Sequence, residues 1–464
     1  MSDRPRVSVI VTAYNLARFL PAALDSALAQ ESPGGPVQII VVDDGSTDDT
    51  PRVLAAYGDR VEVIRKRNGG LVAAVDTGLA AVRGEYIALL DADDEWPADR
   101  LRRHAQILDA NPLVGLVHGD MEVMDAEGNT LHESFFAWKQ DTPTDGRVLP
   151  RLVKDNFVSG GASTFRASLL PAIHPIHPDA AYPDWWIATN IAAVAEIVHD
   201  PASANRYRFH GENMGLGADG ATLLAIERRE LPFRRWMMRH LLPDDTINLQ
   251  DLGETYVRWR GALAHAGRSN NGTVRGILDV DATAATAALA AAFAHPVGLE
   301  RCNALLRAVA ADPFDGATGT DLEIAIMEAT LSLRGLRAPA PPLIALEAGP
   351  RLTLGWFDEL VKQPRLLHAF AAATLTDEGA SLAILTVPGT DLSPLIAAVE
   401  ADPVLSDDRC DLQIVAEPRT LPAQRLLAAR SCALLTGRTV PEPYAQLPVH
   451  ATAPAAAPAA ALAA

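Results

Sequence analysis

Two clusters of carboxylates in this 464-residue chain have the types and spacing to do chemistry. The first is Val41-Val42-Asp43-Asp44-Gly45-Ser46-Thr47-Asp48, two acids at the end of an apolar run followed by Gly and by Ser, Thr and Asp. Either both acids cap the next helix, or a ligand, a cation or donor groups share their charge, because neighbouring Asp residues at a strand end are costly otherwise. The second is Leu89-Leu90-Asp91-Ala92-Asp93-Asp94-Glu95, with four carboxylates in five positions. Hard divalent cations take oxygen ligands and complete their shells with substrate phosphates, so an Asp-x-Asp there suits a grip on Mg²⁺ or Mn²⁺ carrying a diphosphate. Alone, Asp-x-Asp is a weak signal. Its place after a strand, parallel to the first acidic pair, strengthens it, and repulsion among four acids is tolerable only with a cation present.

The elements that must hold these acids can be read from period and punctuation. Val7 to Val11, Val37 to Val42, Val61 to Ile64 and Tyr86 to Leu90 are short apolar runs bounded by Gly, Pro, Asp or Asn, the pattern of buried parallel strands. Between them, Leu16 to Ala29, Thr47 to Tyr57 and Leu71 to Val82 carry apolar residues at helical spacing. Strand and helix in alternation predict a doubly wound α/β sheet, whose ligands sit at the carboxyl ends of its strands. From Met121 to Gly161 the pattern gives way to hairpins and loops. Leu382 to Val387, Leu392 to Ala401, Leu412 to Ala416, Pro422 to Arg430 and Ala433 to Leu435 predict a second, small α/β unit.

Composition limits the function. There are 40 basic against 58 acidic residues, a net charge of −18, so no general basic field exists to draw in a nucleic acid. Cys302, Cys410 and Cys432 are far apart and form neither a disulfide framework nor a thiolate zinc site, which suits a reducing cytoplasm. The N-terminal run has no signal-peptide cleavage pattern, and no apolar stretch approaches the ~18 residues of a spanning helix.

The segments VSVIVTAYN (7–15), VVDDGSTDDT (41–50), NGGLVAAVDTGLAAVRGEYIALLDADDEW (68–96), PDWW (183–186) and YRFHGENMG (207–215) resemble the family-2 glycosyltransferases of the GT-A fold, in order and spacing. The resemblance covers about the first 220 residues and implies an inverting, metal-dependent transfer from a nucleotide diphosphate sugar to an acceptor hydroxyl, in polysaccharide or glycoconjugate synthesis. Carried over by position, Thr12 and Tyr14 would line the base pocket and Asp44 would accept from base or ribose. Asn68 and Gly70 would bring backbone close to the donor. Asp93 would be the principal ligand of Mn²⁺ or Mg²⁺, Asp91 would contact ribose or support the metal, and His210 would close over the diphosphate or join the metal. Asp184 would be the general base, at the start of a helix running to Ile197, with Trp185 and Trp186 as an apolar wall or a sugar-stacking surface. The Ser159-Gly160-Gly161 loop would let the acceptor approach closely. Asp76 stands where many relatives have Asn, and Pro183 where many have Glu.

Other signals weigh less. Gly215-x-Gly217-x-x-Gly220 follows no strand, so it is not a dinucleotide fingerprint. His174 and His177, flanked by prolines, read as an exposed extended loop. Arg228, Arg229, Arg234, Arg235 and Arg239, interleaved with Leu231, Phe233, Trp236 and Met237, suit either an anionic membrane surface or a helix packed on the catalytic domain. The expected organisation is a catalytic domain over 1–225, a helical region over 226–337, a small α/β domain over 338–450 that follows an Ala338 to Pro342 linker, and a disordered Ala/Pro tail over 451–464. Expected partners are a UDP-sugar donor and a glycan, lipid-linked or protein acceptor, with no nucleic acid; peripheral contact with the inner face of a membrane and self-association stay open. Two rival readings are a catalytically silent carbohydrate-binding scaffold and a nucleotidyltransferase; the second would want a Gly-rich, basic phosphate loop where VTAYNLARF stands.

Overall fold

A computed structural model describes residues 4–152 and 156–210, seven positions between 230 and 241, and 351–374, 380–387, 390–405, 411–418, 420–436, 440 and 442–450. The glycine pattern of 215–220, the five arginines of 228–239, most of the helical region over 226–337, Cys302, Cys410, the 338–342 linker and the tail over 451–464 lie outside the described residues. Among the described residues no helix is long and apolar enough to cross a membrane. The chain divides into two compact units, Met1–Ile344 and Ala345–Ala464.

In the first unit, β1 (Val7–Ala13), β2 (Val37–Asp43), β3 (Glu62–Arg65) and β4 (Tyr86–Asp91) pair in parallel in the order β3-β2-β1-β4. Every residue of β1 is buried, as befits a central strand covered on both faces. Side chains alternate across it: Val7, Val9 and Val11 join a core with Leu20 and Leu24 of α1 (Leu20–Leu28) and Leu101 and Leu108 of α4 (Arg100–Ala110). Ile10 faces the other way, against α3 (Leu71–Leu79), where Gly78 lets the helix lie so close that a Cβ would stand 2.4 Å from the Ile10 side chain. The same parity brings Thr12 to the open end of the Ile10 face, in register with Asp91 of β4.

Beyond β4 the sheet turns mixed. The strand β7 (Ser163–Arg166) runs antiparallel to both β4 and β5 (Val114–Met124). A hairpin joins β5 to β6 (Thr130–His132), and β8 (Glu196–Arg208) lies parallel to β5. The stretch after Met121 holds the end of β5, the hairpin strand β6 and two short helices, Phe135–Lys139 and Leu149–Leu152, as hairpins and loops were expected there. One expectation changes: the helix expected to reach Ile197 ends at Ala192, as α8 (Pro183–Ala192). Tertiary pairing overrides helical spacing: Ile197 is drawn into register with Leu116.

The second unit is a five-stranded parallel sheet, ordered β11-β10-β9-β12-β13, of β9 (Arg351–Trp356), β10 (Ala380–Thr386), β11 (Asp411–Ala416), β12 (Ser431–Leu435) and β13 (Val449–His450). Its central strand, β9, precedes the stretch that reads as strand and helix in the sequence. Leu360, Leu367, Phe370, Leu382, Ile384 and Leu435 make its core. Cys432 is a free, exposed thiol.

Gly84, just before β4, touches the central strand, and a Cβ there would lie 2.5 Å from the Ser8 nitrogen and 2.8 Å from the Val7 carbonyl carbon. Backbone cannot step aside as a side chain can, so Gly84→Ala should destabilise the first unit by about 1–3 kcal/mol. Thermal unfolding would check this; an unchanged midpoint would contradict the packing described.

Candidate active site

The carboxyl ends of β1 and β4, the start of α3 and the start of α8 surround a cavity of about 420 Å³. Thr12, Tyr14, Asp44, Asn68, Gly70, Asp91, Asp93 and Asp184 all line it. His210 joins them indirectly: its Nε2 lies 3.0 Å from Asp93 Oδ2, and its ring stacks on Phe19 at 5.0 Å.

The acidic run at the end of β4 splits into two pairs with different tasks. Asp91 and Asp93 face the cavity. Asp94 turns inward, where Oδ1 accepts from the Arg208 backbone N–H at 2.9 Å and Oδ2 from Asn205 Nδ2 at 2.6 Å. Glu95 pairs with Arg206 at 2.8 Å and with Arg208, and its backbone bridges to Arg206. Crowding in the run was expected to require a cation throughout. Instead, β8 supplies the countercharges for Glu95 and the donors for Asp94, whereas Asp91 accepts from the Thr12 hydroxyl and Asp93 meets the His210 ring.

Asp91 shows the result. Burial, then the charges of Asp93 and Asp184, push its pKa up to about 7, against a hydrogen bond from Thr12 that favours the ionised form. Burial likewise pushes Asp184 up to about 6, although the backbone N–H groups of Trp185 and Gly160 and the side chain of Asn156 oppose the rise. Asp94 is driven well above the ordinary carboxylate range, first by burial and then by Asp93 and Asp91.

Asp184 lies in the first turn of α8, where the helix dipole favours an anion. Its Oδ1 accepts from the Trp185 nitrogen at 2.7 Å, whereas the contact of Oδ2 with the Gly160 nitrogen is long, 3.4 Å. Gly160 and Gly161 line the cavity; a Cβ at Gly160 would stand 3.3 Å from the Asp184 Cβ and 3.5 Å from Leu89, and one at Gly161 3.0 Å from Asn205. The two glycines thus also make room for Asp184 and β8.

Of the two roles expected for Trp185 and Trp186, sugar stacking is excluded: both are fully buried, and their indole N–H groups donate to the Leu152 and Ile173 carbonyls at 2.6 and 2.7 Å. Asp44 lines the cavity, and it also accepts from Lys66 Nζ at 2.7 Å, from the Gly69 nitrogen at 3.0 Å and from the Gly70 nitrogen at 2.7 Å. It fastens the loop that presents Asn68 and Gly70. The His174 to Pro178 loop is held rather than free, because Asp76 Oδ1 lies 2.8 Å from His174 Nδ1 and accepts from the Ile176 nitrogen at 2.7 Å. That contact explains an acid at position 76. Sequence reasoning missed Asn205, Arg206 and Arg208, whose partners are over 100 residues away.

The residues present fit a hard divalent cation. Asp91 and Asp93 repel each other across a cavity wall, and Asp93 with His210 offers oxygen and imidazole donors. Among the described residues no three His, Cys, Asp or Glu side chains form a closed metal cluster. One or two carboxylates completed by phosphate oxygens is the usual way a protein holds such an ion on a diphosphate.

Since the folded state raises the Asp184 pKa, the ionised carboxylate opposes folding, and the stability it costs is lost as pH rises from about 4 through 6. In metal-free buffer at pH 7.5, Asp184→Asn should therefore raise stability by about 1–3 kcal/mol and change little at pH 4. Thermal unfolding at both pH values tests this; equal effects at both would contradict it.

Comparison with known proteins gives the following. Residues 8–173 match the family model of glycosyl transferase family 2. An uncharacterized glycosyltransferase of Nostoc sp. is 29% identical over 228 residues, 47% of this chain and 69% of that protein. The succinoglycan biosynthesis protein ExoO of Rhizobium meliloti is 42% identical over 154 residues, 33% of this chain and 43% of that protein. The chain thus spans well under the full length of such relatives. The crystal structure of S. aureus TarS 1-349 in complex with UDP-GlcNAc aligns over 50% of this chain and 70% of that one, at 18% identity and a TM-score of 0.36, too distant to carry an argument.

Proposed function

We propose that this chain, a glycosyltransferase carrying a family-2 domain over residues 8–173, moves a sugar from a nucleotide diphosphate donor to an acceptor hydroxyl with inversion at the anomeric carbon. The observation that carries this reading is the meeting of Thr12, Tyr14, Asn68, Asp91, Asp93 and Asp184 in one cavity at the carboxyl edge of the sheet. The nucleotide would lie along Thr12, Tyr14 and the Asn68 to Gly70 turn, with Tyr14 offering an amphipathic ring.

In the proposed step, the Asp184 carboxylate takes the proton from the acceptor hydroxyl. The acceptor oxygen forms its bond to the anomeric carbon as the bond to the diphosphate oxygen breaks, and the diphosphate leaves with that electron pair. Asp93, with His210 beside it and Asp91 in support, would hold Mn²⁺ or Mg²⁺, which supplies positive charge against the departing diphosphate. Asp91 in turn holds the Thr12 hydroxyl, which fixes the end of β1 at the donor side.

A UDP-sugar is the proposed donor, on the prior that uridine donors are commonest in the family. A polysaccharide or glycoconjugate acceptor is supported by the name of the Rhizobium relative. We place the activity in the cytoplasm. The family match favours transfer over the nucleotidyltransferase reading, and the set of cavity acids favours it over a silent scaffold.

Hydrolysis and transfer assays with a panel of nucleotide sugars test the assignment. Asp184→Asn should lower kcat by about 10²–10⁴-fold, Asp93→Ala should do likewise, and a chelator should remove activity that Mn²⁺ restores. With the Asp184 pKa near 6, kcat/KM should rise as pH passes from 5 to 7. Wild-type activity in both variants would overturn the reading.

A further inference from the structure

The Asp184 helix is held from outside by a part of the chain that lies beyond the family-matched region. The rings that follow Asp184, Trp185 and Trp186, have their indole nitrogens fixed to Leu152 and Ile173. Their remaining surfaces meet Phe233 and Trp236. Phe233 stands edge-on to Trp185 at 5.2 Å and also contacts Trp186 at 5.7 Å. Trp236 lies 4.3 Å from Trp186 and 6.4 Å from His177. His177 itself stacks on Trp186 at 6.1 Å, at the end of the loop that Asp76 secures. Phe233, Trp236, Met237 and Leu241 are all buried, and the described positions from 230 to 240 are helical. These side chains therefore pack against the protein, as a helix on the catalytic domain would, while the arginines of the membrane-surface reading lie outside the described residues.

Such packing fixes more than stability. Asp184 directly precedes Trp185 in the first turn of α8 and its carboxylate accepts from the Trp185 nitrogen at 2.7 Å, so a rotation of α8 about its packed rings moves that carboxylate relative to the cavity. General-base catalysis depends on hydrogen-bond reach, and a shift of about 1 Å can cost on the order of 10²-fold in rate.

We propose that the segment from 230 to 241 is a brace for the general base: Phe233 and Trp236 are positioning residues that set the orientation of Asp184 through Trp185 and Trp186. None of the brace residues lines the cavity. The inference rests on the reading of Asp184 as the base.

The test compares the full chain as Trp236→Ala, Trp236→Phe, Phe233→Leu and Asp184→Asn, measuring kcat and donor KM with the best nucleotide sugar of the panel. Trp236→Ala should lose about 10- to 100-fold in kcat with donor KM unchanged, and Trp236→Phe should recover most of the loss because a ring still fills the space. Wild-type kcat in Trp236→Ala and Phe233→Leu beside an inactive Asp184→Asn would overturn the brace and leave the base intact. An active Asp184→Asn would overturn the base and, with it, the brace. Should Trp236→Ala fail to fold, the two milder variants decide: a graded loss of kcat at constant KM supports the brace, and wild-type kcat in both overturns it.

Discussion

Burial of carboxylates at one edge of a parallel sheet is the constraint around which the N-terminal unit is organised. Asp91 and Asp184 lose solvation there, which pushes them up to about 7 and about 6, and at Asp91 the charges of Asp93 and Asp184 add to the rise. Folding energy from elsewhere must oppose the cost of that burial. The wholly buried β1, the close approach of α3 at Gly78 and the hydrophobic layer under α1 and α4 supply it. In the proposed transfer, a cation held at these acids would offset their charge, and binding would relieve a cost already present in the protein.

The long strand β8 is what lets this density of charge exist. It delivers Asn205 and the Arg208 nitrogen to Asp94, Arg206 and Arg208 to Glu95, and ends at the residue before Phe209 and His210, which reaches Asp93. The cavity acids Asp91 and Asp93 are thus followed at once by the structural acids Asp94 and Glu95, with the turn at the end of β4 sending the two pairs to different sides. Loss of the β5–β8 pairing would therefore damage the site twice, through its scaffold and through its histidine.

Much of this was legible in the residues. The buried runs, the acids at their ends and the order of segments identify the sheet edge and its cavity, because parallel strands leave an apolar signature and their carboxyl ends are where ligands collect. What was not legible depends on direction. Adjacent Trp185 and Trp186 look the same in sequence whether they face a sugar or a core, and only the packing of Phe233 and Trp236 decides. The acid at 44 reads as a cavity residue, but the three donors from 66, 69 and 70 that tie it to the neighbouring turn leave no trace in the sequence. β8, with polar and apolar residues mixed over Glu196–Arg208, carries no clean period and is fixed by its pairing with β5.

The same bonds at Asp44 bear on how a nucleotide would enter. An ammonium and two backbone N–H groups tie Asp44 to the turn while it still lines the cavity, and Gly70, at a φ of +83°, is held in a conformation that a free loop would visit only part of the time. The turn has thus lost its conformational entropy during folding, before any ligand arrives. Association then resembles the docking of two rigid bodies, and selection among bases is made by the shape of a fixed rim more than by the ordering of a flexible one.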